Sequence, residues 1–410
     1  MLGEAFREVL ARRVAELRKI GYYVPRRRRE YSRPGLVNIE GIGMKFRRRL
    51  FSSRDPYDVS KTDLFLRASK ENFSYLYGHC EDYKKISDGL SVKSPDDIKD
   101  VSDIPVLPTM LFKQHDFRSG RYMVKATSSG TSGKKSTIRF EFSALMAALR
   151  MSVKITRYHG IMTIKPCRYI VMGYKPHRSN PMAVAKTAYL TTFLAPAVSR
   201  KFILKHTKDG YKPDFESIVK ALRKYEKGRL PVRFMGFPAY TFFLFRLLED
   251  RGLSFSLPKG SKIMLGGGWK QFYQEAADKE TFYKMAKKTL GIDEENIVEF
   301  FGAVEHPILY CDCQNHHFHV PVYSKVVIRD PDTLEPLENG KMGLVNLVTP
   351  ICKATPLLSV MTDDLGILHD GEKCGCGVTS PYLEIVGRVA PEDIKTCAAG
   401  AADILKGVKI

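Results

Sequence analysis

Short apolar runs recur through the middle of the chain, each leaving through glycine: residues 169–173, 232–236, 262–266 and 297–302. Between them the apolar positions switch to helical spacing, over 214–225 and 239–251. Buried strands alternating with helices predict an α/β fold built on a doubly wound parallel sheet. In such sheets ligands bind beyond the carboxyl ends of the strands, where these glycines fall. After residue 317 the pattern changes to strands and turns, at 318–328, 343–348, 357–361 and 382–386, which predicts an antiparallel or barrel-like β-rich subdomain over about 317–388. Residues 1–20 read as an amphipathic helix, with Phe6, Leu10, Val14 and Leu17 at helical spacing. A basic stretch punctuated by Gly and Pro follows to about residue 55, and helical segments lead from there to 101–108, whose prolines rule out a central strand.

Size and composition permit this architecture. With 410 residues, 44% hydrophobic and 11% aromatic, the chain can bury one large core or two fused ones. Its eight cysteines are too sparse for a disulfide scaffold, although two pairs stand as Cys-x-Cys. The apolar stretch 237–248 is short for a membrane span and is broken by Arg246, and the first residues lack a signal-peptide core. A soluble, cytoplasmic protein is expected. The balance of 66 basic against 45 acidic residues (+21) attracts acidic partners, and it is densest at Arg26–Arg29 and Lys45–Arg49. The plain reading of those clusters is a solvated face. No helix-turn-helix, RNP or C₂H₂ pattern accompanies them, so no nucleic-acid partner is expected.

The stretch Ala126-Thr127-Ser128-Ser129-Gly130-Thr131-Ser132-Gly133-Lys134-Lys135-Ser136 carries the most chemistry. Interleaved hydroxyls and glycines followed by lysines suit close backbone approach to a polyphosphate. A Walker A loop is excluded, because that motif needs Gly at 128 and Ser or Thr at 135. Strand-like segments at 122–126 and 137–142 flank the loop, so a surface hairpin is the competing reading.

This loop resembles the phosphate-gripping loop of the acyl-adenylate-forming superfamily, which includes acyl-CoA synthetases and phenylacetate-CoA ligases. Further segments follow in that family's order. Leu265-Gly266-Gly267-Gly268-Trp269-Lys270 resembles the strand exit lining the adenine pocket. Phe301-Gly302-Ala303-Val304-Glu305 resembles the motif whose glutamate holds Mg²⁺, with Val304 where Thr is usual. Met361-Thr362-Asp363-Asp364-Leu365-Gly366 resembles the segment whose aspartate, here Asp364, binds the ribose, and Gly387-Arg388 the hinge dipeptide that ends the large domain. Only 22 residues follow Arg388, so the resemblance implies a truncated C-terminal domain.

That feature, with Leu111-Phe112-Lys113, His319-Val320-Pro321 and Glu384-Ile385-Val386-Gly387-Arg388-Val389, makes the chain similar to the acyl-protein synthetase (LuxE-type) family. The resemblance implies ATP-dependent activation of a carboxylic acid, specifically a fatty acid, followed by transfer to a near-terminal cysteine, here Cys397, as a thioester. It implies ATP and Mg²⁺ as cofactors, Lys134 and Glu305 beside Cys397 as catalytic residues, and an acyl-CoA-reductase-like protein or an acyl carrier protein as partner. The expected organisation is a basic helical extension over 1–60, an adenylate-forming core over 61–388 and a tail over 389–410. Delivery to CoA or a carrier protein is the first alternative. A basic, zinc-containing protein that binds nucleic acid or lipid is the second.

Other residues keep two readings. Cys311, Cys313, His316, His317, His319, Cys374 and Cys376 form a thiol–imidazole group split by about sixty residues, which suits structural Zn²⁺ on Cys313, His319, Cys374 and Cys376 with Cys311 in reserve. The alternative is reduced cysteines at strand turns. Trp269 lines a pocket or packs the core, and 240–245 reads as a core helix. Cys80, Cys167 and Cys352 read as packing residues.

Overall fold

The computed structural model describes residues 44–127, 136–177, 188–208, 210–269 and 276–388. The statements below concern those residues. A seven-stranded sheet has the order β10-β9-β8-β7-β4-β5-β6. Its parallel centre consists of β4 (Cys167–Tyr174), β5 (Ala197–Thr207), β7 (Val232–Gly236), β8 (Lys262–Gly266) and β9 (Ile297–Phe301). The short β6 (Gly210–Pro213) and β10 (Tyr310–Cys311) close its edges antiparallel. Every residue of β7 is buried, as a strand covered on both faces requires.

Alternation along the strands feeds two cores. Tyr169, Val171, Met235 and Met264 face the larger one. Ile170, Met172, Phe234, Ile263 and Leu265 face the other, which is closed by helices over Phe215–Glu226, Pro238–Asp250 and Lys279–Leu290. Local chemistry sets these helix ends. Asp214 and Asp278 accept the amides of Ser217 and Thr281, and Pro238 opens its helix where no donor is needed.

The second sheet is antiparallel, in the order β11-β15-β14-β13-β12: β11 (Phe318–His319), β15 (Tyr382–Arg388), β14 (Ser359–His369), β13 (Met342–Val348) and β12 (Lys325–Arg329). The two-residue β1 (Leu107–Pro108) pairs parallel with the start of β14, in keeping with a proline-bounded edge. The larger core joins this sheet to the helices α1 (Lys45–Leu50) and α2 (Thr62–His79) and to one face of the parallel sheet. A separate ribbon pairs β2 (Val124–Thr127) with β3 (Thr137–Phe140).

Several boundaries differ from expectation for physical reasons. The strand expected at 318–328 divides at Pro321, whose carbonyl accepts the Ser324 amide in a turn. The strand expected at 357–361 continues to His369 because partners elsewhere hold the polar Asp363 in its interior. Glu141 ends the segment expected at 137–142 and starts a helix over Phe142–Tyr158. The hairpin β5–β6 escapes the hydrophobic pattern, since Arg200, Lys201, Lys205 and Lys212 interrupt its apolar positions. None of the described helices is long and apolar enough to cross a membrane.

Candidate adenylation site and metal centre

Two of the resembling segments leave neighbouring parallel strands. Gly266 ends β8 opposite Phe300 of β9, so Gly266–Gly268 and Phe301–Glu305 emerge side by side. Gly267 and Gly268 have φ of +87° and +65°, a region that any side chain would strain, which explains the glycine pair at this exit. The 301–305 segment closes in a turn, with Ala303 and His306 exchanging backbone hydrogen bonds of 3.4 and 3.2 Å. His306 anchors that turn to the other sheet. It is fully buried, its Nε2 lies 3.0 Å from the Ser324 hydroxyl, and burial holds its pKa down to about 3, so the ring is neutral. Tyr310 shares the same hydroxyl at 2.7 Å. Glu305 is thereby held buried beside the strand ends. A carboxylate at this place is of the type that ligates a hard cation.

Trp269 sits at the mouth of the Gly-rich exit and packs edge-on against Phe242 of the helix over Pro238–Asp250, with centroids 5.6 Å apart. It borders a cavity of about 100 Å³ that Glu299, Asp312, Lys279 and Tyr283 also line. Trp269 thus packs against a helix and borders a cavity at once. Glu299 was not singled out in the sequence. Asp312 accepts its amide at 2.8 Å, and burial pushes the Glu299 carboxyl above the usual range while Lys279 draws it back. Its signal was a lone acid inside the apolar run Ile297-Val298-Glu299-Phe300-Phe301.

Asp364 lies within β14, opposite Arg388 of β15, where a bulge at Leu365/Gly366 breaks the ladder. Its neighbour Asp363 is buried. The Thr109 hydroxyl donates to Asp363 at 2.9 Å and Lys113 Nζ stands 3.8 Å from its other oxygen. The parallel pairing of Pro108 with Met361 brings those two residues there. Lys113 is a residue that the sequence allows to contact phosphate or carboxylate, and here it meets a carboxylate, whereas Thr109 and Asp363 carry no signal of their own in the sequence.

Thr127 ends β2 opposite Thr137, and its buried hydroxyl has no hydrogen-bond partner among the described residues. A hydroxyl in that state suits a ligand that accepts from it. Ser128, Ser129, Gly130, Thr131, Ser132, Gly133, Lys134 and Cys397 lie outside the described residues, as does the Arg388 side chain.

The structure brings the four preferred metal ligands together. One ligand atom from each of Cys313, His319, Cys374 and Cys376 lies within 4.8 Å of all the others. The Cys313 and Cys374 sulfurs are 3.5 Å apart, and Cys376 Sγ is 3.2 Å from His319 Nε2. Tetrahedral zinc thiolates require a sulfur separation of about 3.8 Å, from Zn–S bonds near 2.3 Å. His319 Nδ1 donates to the Ser380 carbonyl at 2.6 Å, which leaves the Nε2 lone pair for the cluster. Gly375 and Gly377, at φ +71° and +88°, fold the Cys-x-Cys turn so that Cys374 and Cys376 both join the group. Burial and the adjoining sulfurs push the Cys374 thiol up to about 12, a cost that a dication reverses. Cys311 stays apart, its Sγ directed at the Asp312 carbonyl. His317 approaches Cys374 Sγ at 3.1 Å and stacks on Tyr382. Cys80, Cys167 and Cys352 are buried packing residues.

Comparison with known proteins places these features in a family. The chain is 26% identical over 348 residues to a long-chain-fatty-acid–luciferin-component ligase of Aliivibrio fischeri, covering 82% of this chain and 87% of that protein. It is also 26% identical over 343 residues to the protein of the same name from Vibrio harveyi, covering 81% and 85%. The open conformation of 2-hydroxyisobutyryl-CoA ligase, crystallised with 2-HIB-AMP and CoA, shares the fold, with a TM-score of 0.61 at 15% identity over 82% of this chain and 76% of that one. The family model for acyl-protein synthetase, LuxE, matches residues 45–405, and the chain belongs to that family of acyl-activating ligases.

Proposed function

We propose that this protein activates a fatty acid with ATP, carries the acyl group on Cys397 and passes it to a partner protein. The observation that carries this reading is the family match, which runs from residue 45 to 405 and so includes Cys397. The adjacent exits of β8 and β9 and the unpartnered Thr127 hydroxyl support it.

A carboxylate oxygen attacks the α-phosphorus, the bond to the β-phosphate oxygen breaks, and pyrophosphate leaves. Thr127 and the loop residues Ser128, Ser129, Gly130, Thr131, Ser132 and Gly133 cradle the phosphates, and Lys134 offsets their charge. Gly266, Gly267, Gly268, Phe301 and Gly302 border the adenine. Asp364 accepts from the ribose hydroxyls beside Arg388. Glu305 would hold Mg²⁺, which would supply positive charge against the phosphates. The Cys397 thiolate then attacks the acyl carbonyl carbon, and AMP leaves with the electron pair of the broken mixed-anhydride bond. Cys313, His319, Cys374 and Cys376 would hold Zn²⁺, which would tie β11 to the turn before β15. The acceptor is an acyl-CoA-reductase-like protein. A charge of +21 favours, as a second reading, an acidic acyl carrier protein.

Incubation with ATP and a labelled fatty acid should leave label on the protein that neutral hydroxylamine releases. Cys397→Ser should abolish that label while acid-dependent pyrophosphate release continues. A hydroxylamine-sensitive acyl group retained by the variant would place the thioester on another cysteine.

A further inference from the structure

The ribbon β2–β3 belongs to neither large sheet, and an isolated two-stranded ribbon is marginal on its own. Contacts at its exit hold it. The Arg139 amide donates to the Thr355 hydroxyl at 3.0 Å, and that hydroxyl donates to the Arg139 carbonyl at 3.0 Å. Two residues on, Glu141 Oε2 accepts the amides of Lys353 and Ala354, each at 3.1 Å. The other oxygen, Oε1, accepts from Arg47 Nη1 at 3.0 Å. Arg47 also donates to the Ile351 carbonyl at 3.1 Å and to the Ser143 hydroxyl at 2.5 Å. Its own amide donates to Glu71 of α2 at 2.9 Å. Arg47 is 6% exposed, whereas its neighbours Arg48 and Arg49 are solvated.

We infer that Arg47 is a positioning residue for nucleotide binding: its buried guanidinium, held on Glu141, Ser143 and the Ile351 carbonyl, sets the ribbon that carries Thr127 against the 351–355 turn leading into β14, which carries Asp364. The inference rests on the proposed nucleotide site. Guanidinium geometry is required, because three acceptors in different directions are engaged at once. Burial opposes the charge on Glu141, but the Arg47 guanidinium and the Lys353 amide outweigh it and hold the carboxyl below the usual range.

The test measures ATP binding by equilibrium dialysis and the KM values for ATP and for the fatty acid in pyrophosphate release. Arg47→Met should raise the dissociation constant and KM for ATP at least tenfold and leave the KM for the acid unchanged. Arg47→Lys should recover part of the loss, and Arg48→Ala should match the native protein. If Arg47→Met does not fold, the double variant Arg47→Met/Glu141→Gln, which leaves no unpaired buried charge, carries the test with the same expected loss. Variants that melt earlier yet bind ATP as the native protein does would overturn the inference alone. A native protein that binds no ATP would overturn the nucleotide site itself and the inference with it.

Discussion

The two sheets place their polar chemistry in different ways. In the parallel sheet Arg233 and Glu299 lie within β7 and β9, but the candidate nucleotide residues Gly266–Gly268 and Phe301–Glu305 stand at or beyond the strand ends. In the antiparallel sheet Asp363 and Asp364 lie in the middle of an eleven-residue strand. The two cores cover the two faces of the first sheet, which leaves the strand ends for a ligand. The second sheet accommodates mid-strand acids through the bulge at Leu365/Gly366 and the donors Thr109 and Lys113. A strand end needs glycine and a tight turn. A mid-strand acid needs partners from distant parts of the chain.

The largest expected effect falls on the antiparallel side. Native protein should contain about one zinc per chain, and Cys374→Ser should reduce this to near zero. Losing the metal should also lower the melting temperature by roughly 10 °C. Metal-free protein of equal heat resistance would leave the sheet without the clip and remove the assignment.

On the parallel side, Glu305→Gln should slow Mg²⁺-dependent pyrophosphate release by roughly a hundredfold with the fold intact, since a neutral amide is a poorer ligand than a carboxylate. Unchanged release would sever Glu305 from the reaction. The mid-strand counterpart is Asp364→Ala. It should weaken ATP binding about tenfold or more, the loss of a charged hydrogen bond of about 1.5–3 kcal/mol. If nucleotide affinity does not change, only the strand ends contribute to binding.

The smallest effect concerns the seam between the helix over Phe142–Tyr158 and the corner that carries His319. There His159 Nε2 meets the Tyr57 hydroxyl at 2.7 Å, and burial, reinforced by His319, holds the His159 pKa down to about 4. The folded value lies below the unfolded one of about 6.5, so the unfolded chain binds the proton that the native chain rejects. Stability is therefore complete above about pH 6.5 and declines towards pH 4, by at most about 1.4 kcal/mol per pH unit. His159→Gln should flatten that part of the curve in urea titrations at successive pH values. An unaltered slope would exclude His159 as its source.

The alternation of apolar strand and amphipathic helix was legible along the chain because burial on both faces imposes it locally. The same holds for the Gly-rich exits, where backbone conformation restricts the residue type. The thiol–imidazole cluster was legible in part: residue type and spacing named the four side chains that the structure gathers, but whether Cys311 joined them depended on which way one strand turned. Arg47 shows what sequence could not decide. Within Lys45-Phe46-Arg47-Arg48-Arg49 nothing distinguishes the first arginine from the two that follow it. Its burial follows from the meeting of α1, the Glu141 cap and the 351–355 turn, which are separated by about 90 and 300 residues. Local pattern determines which elements form. Which charges they bury depends on long-range packing, because a buried ion pair exists only where both partners and their remaining hydrogen-bond groups arrive together.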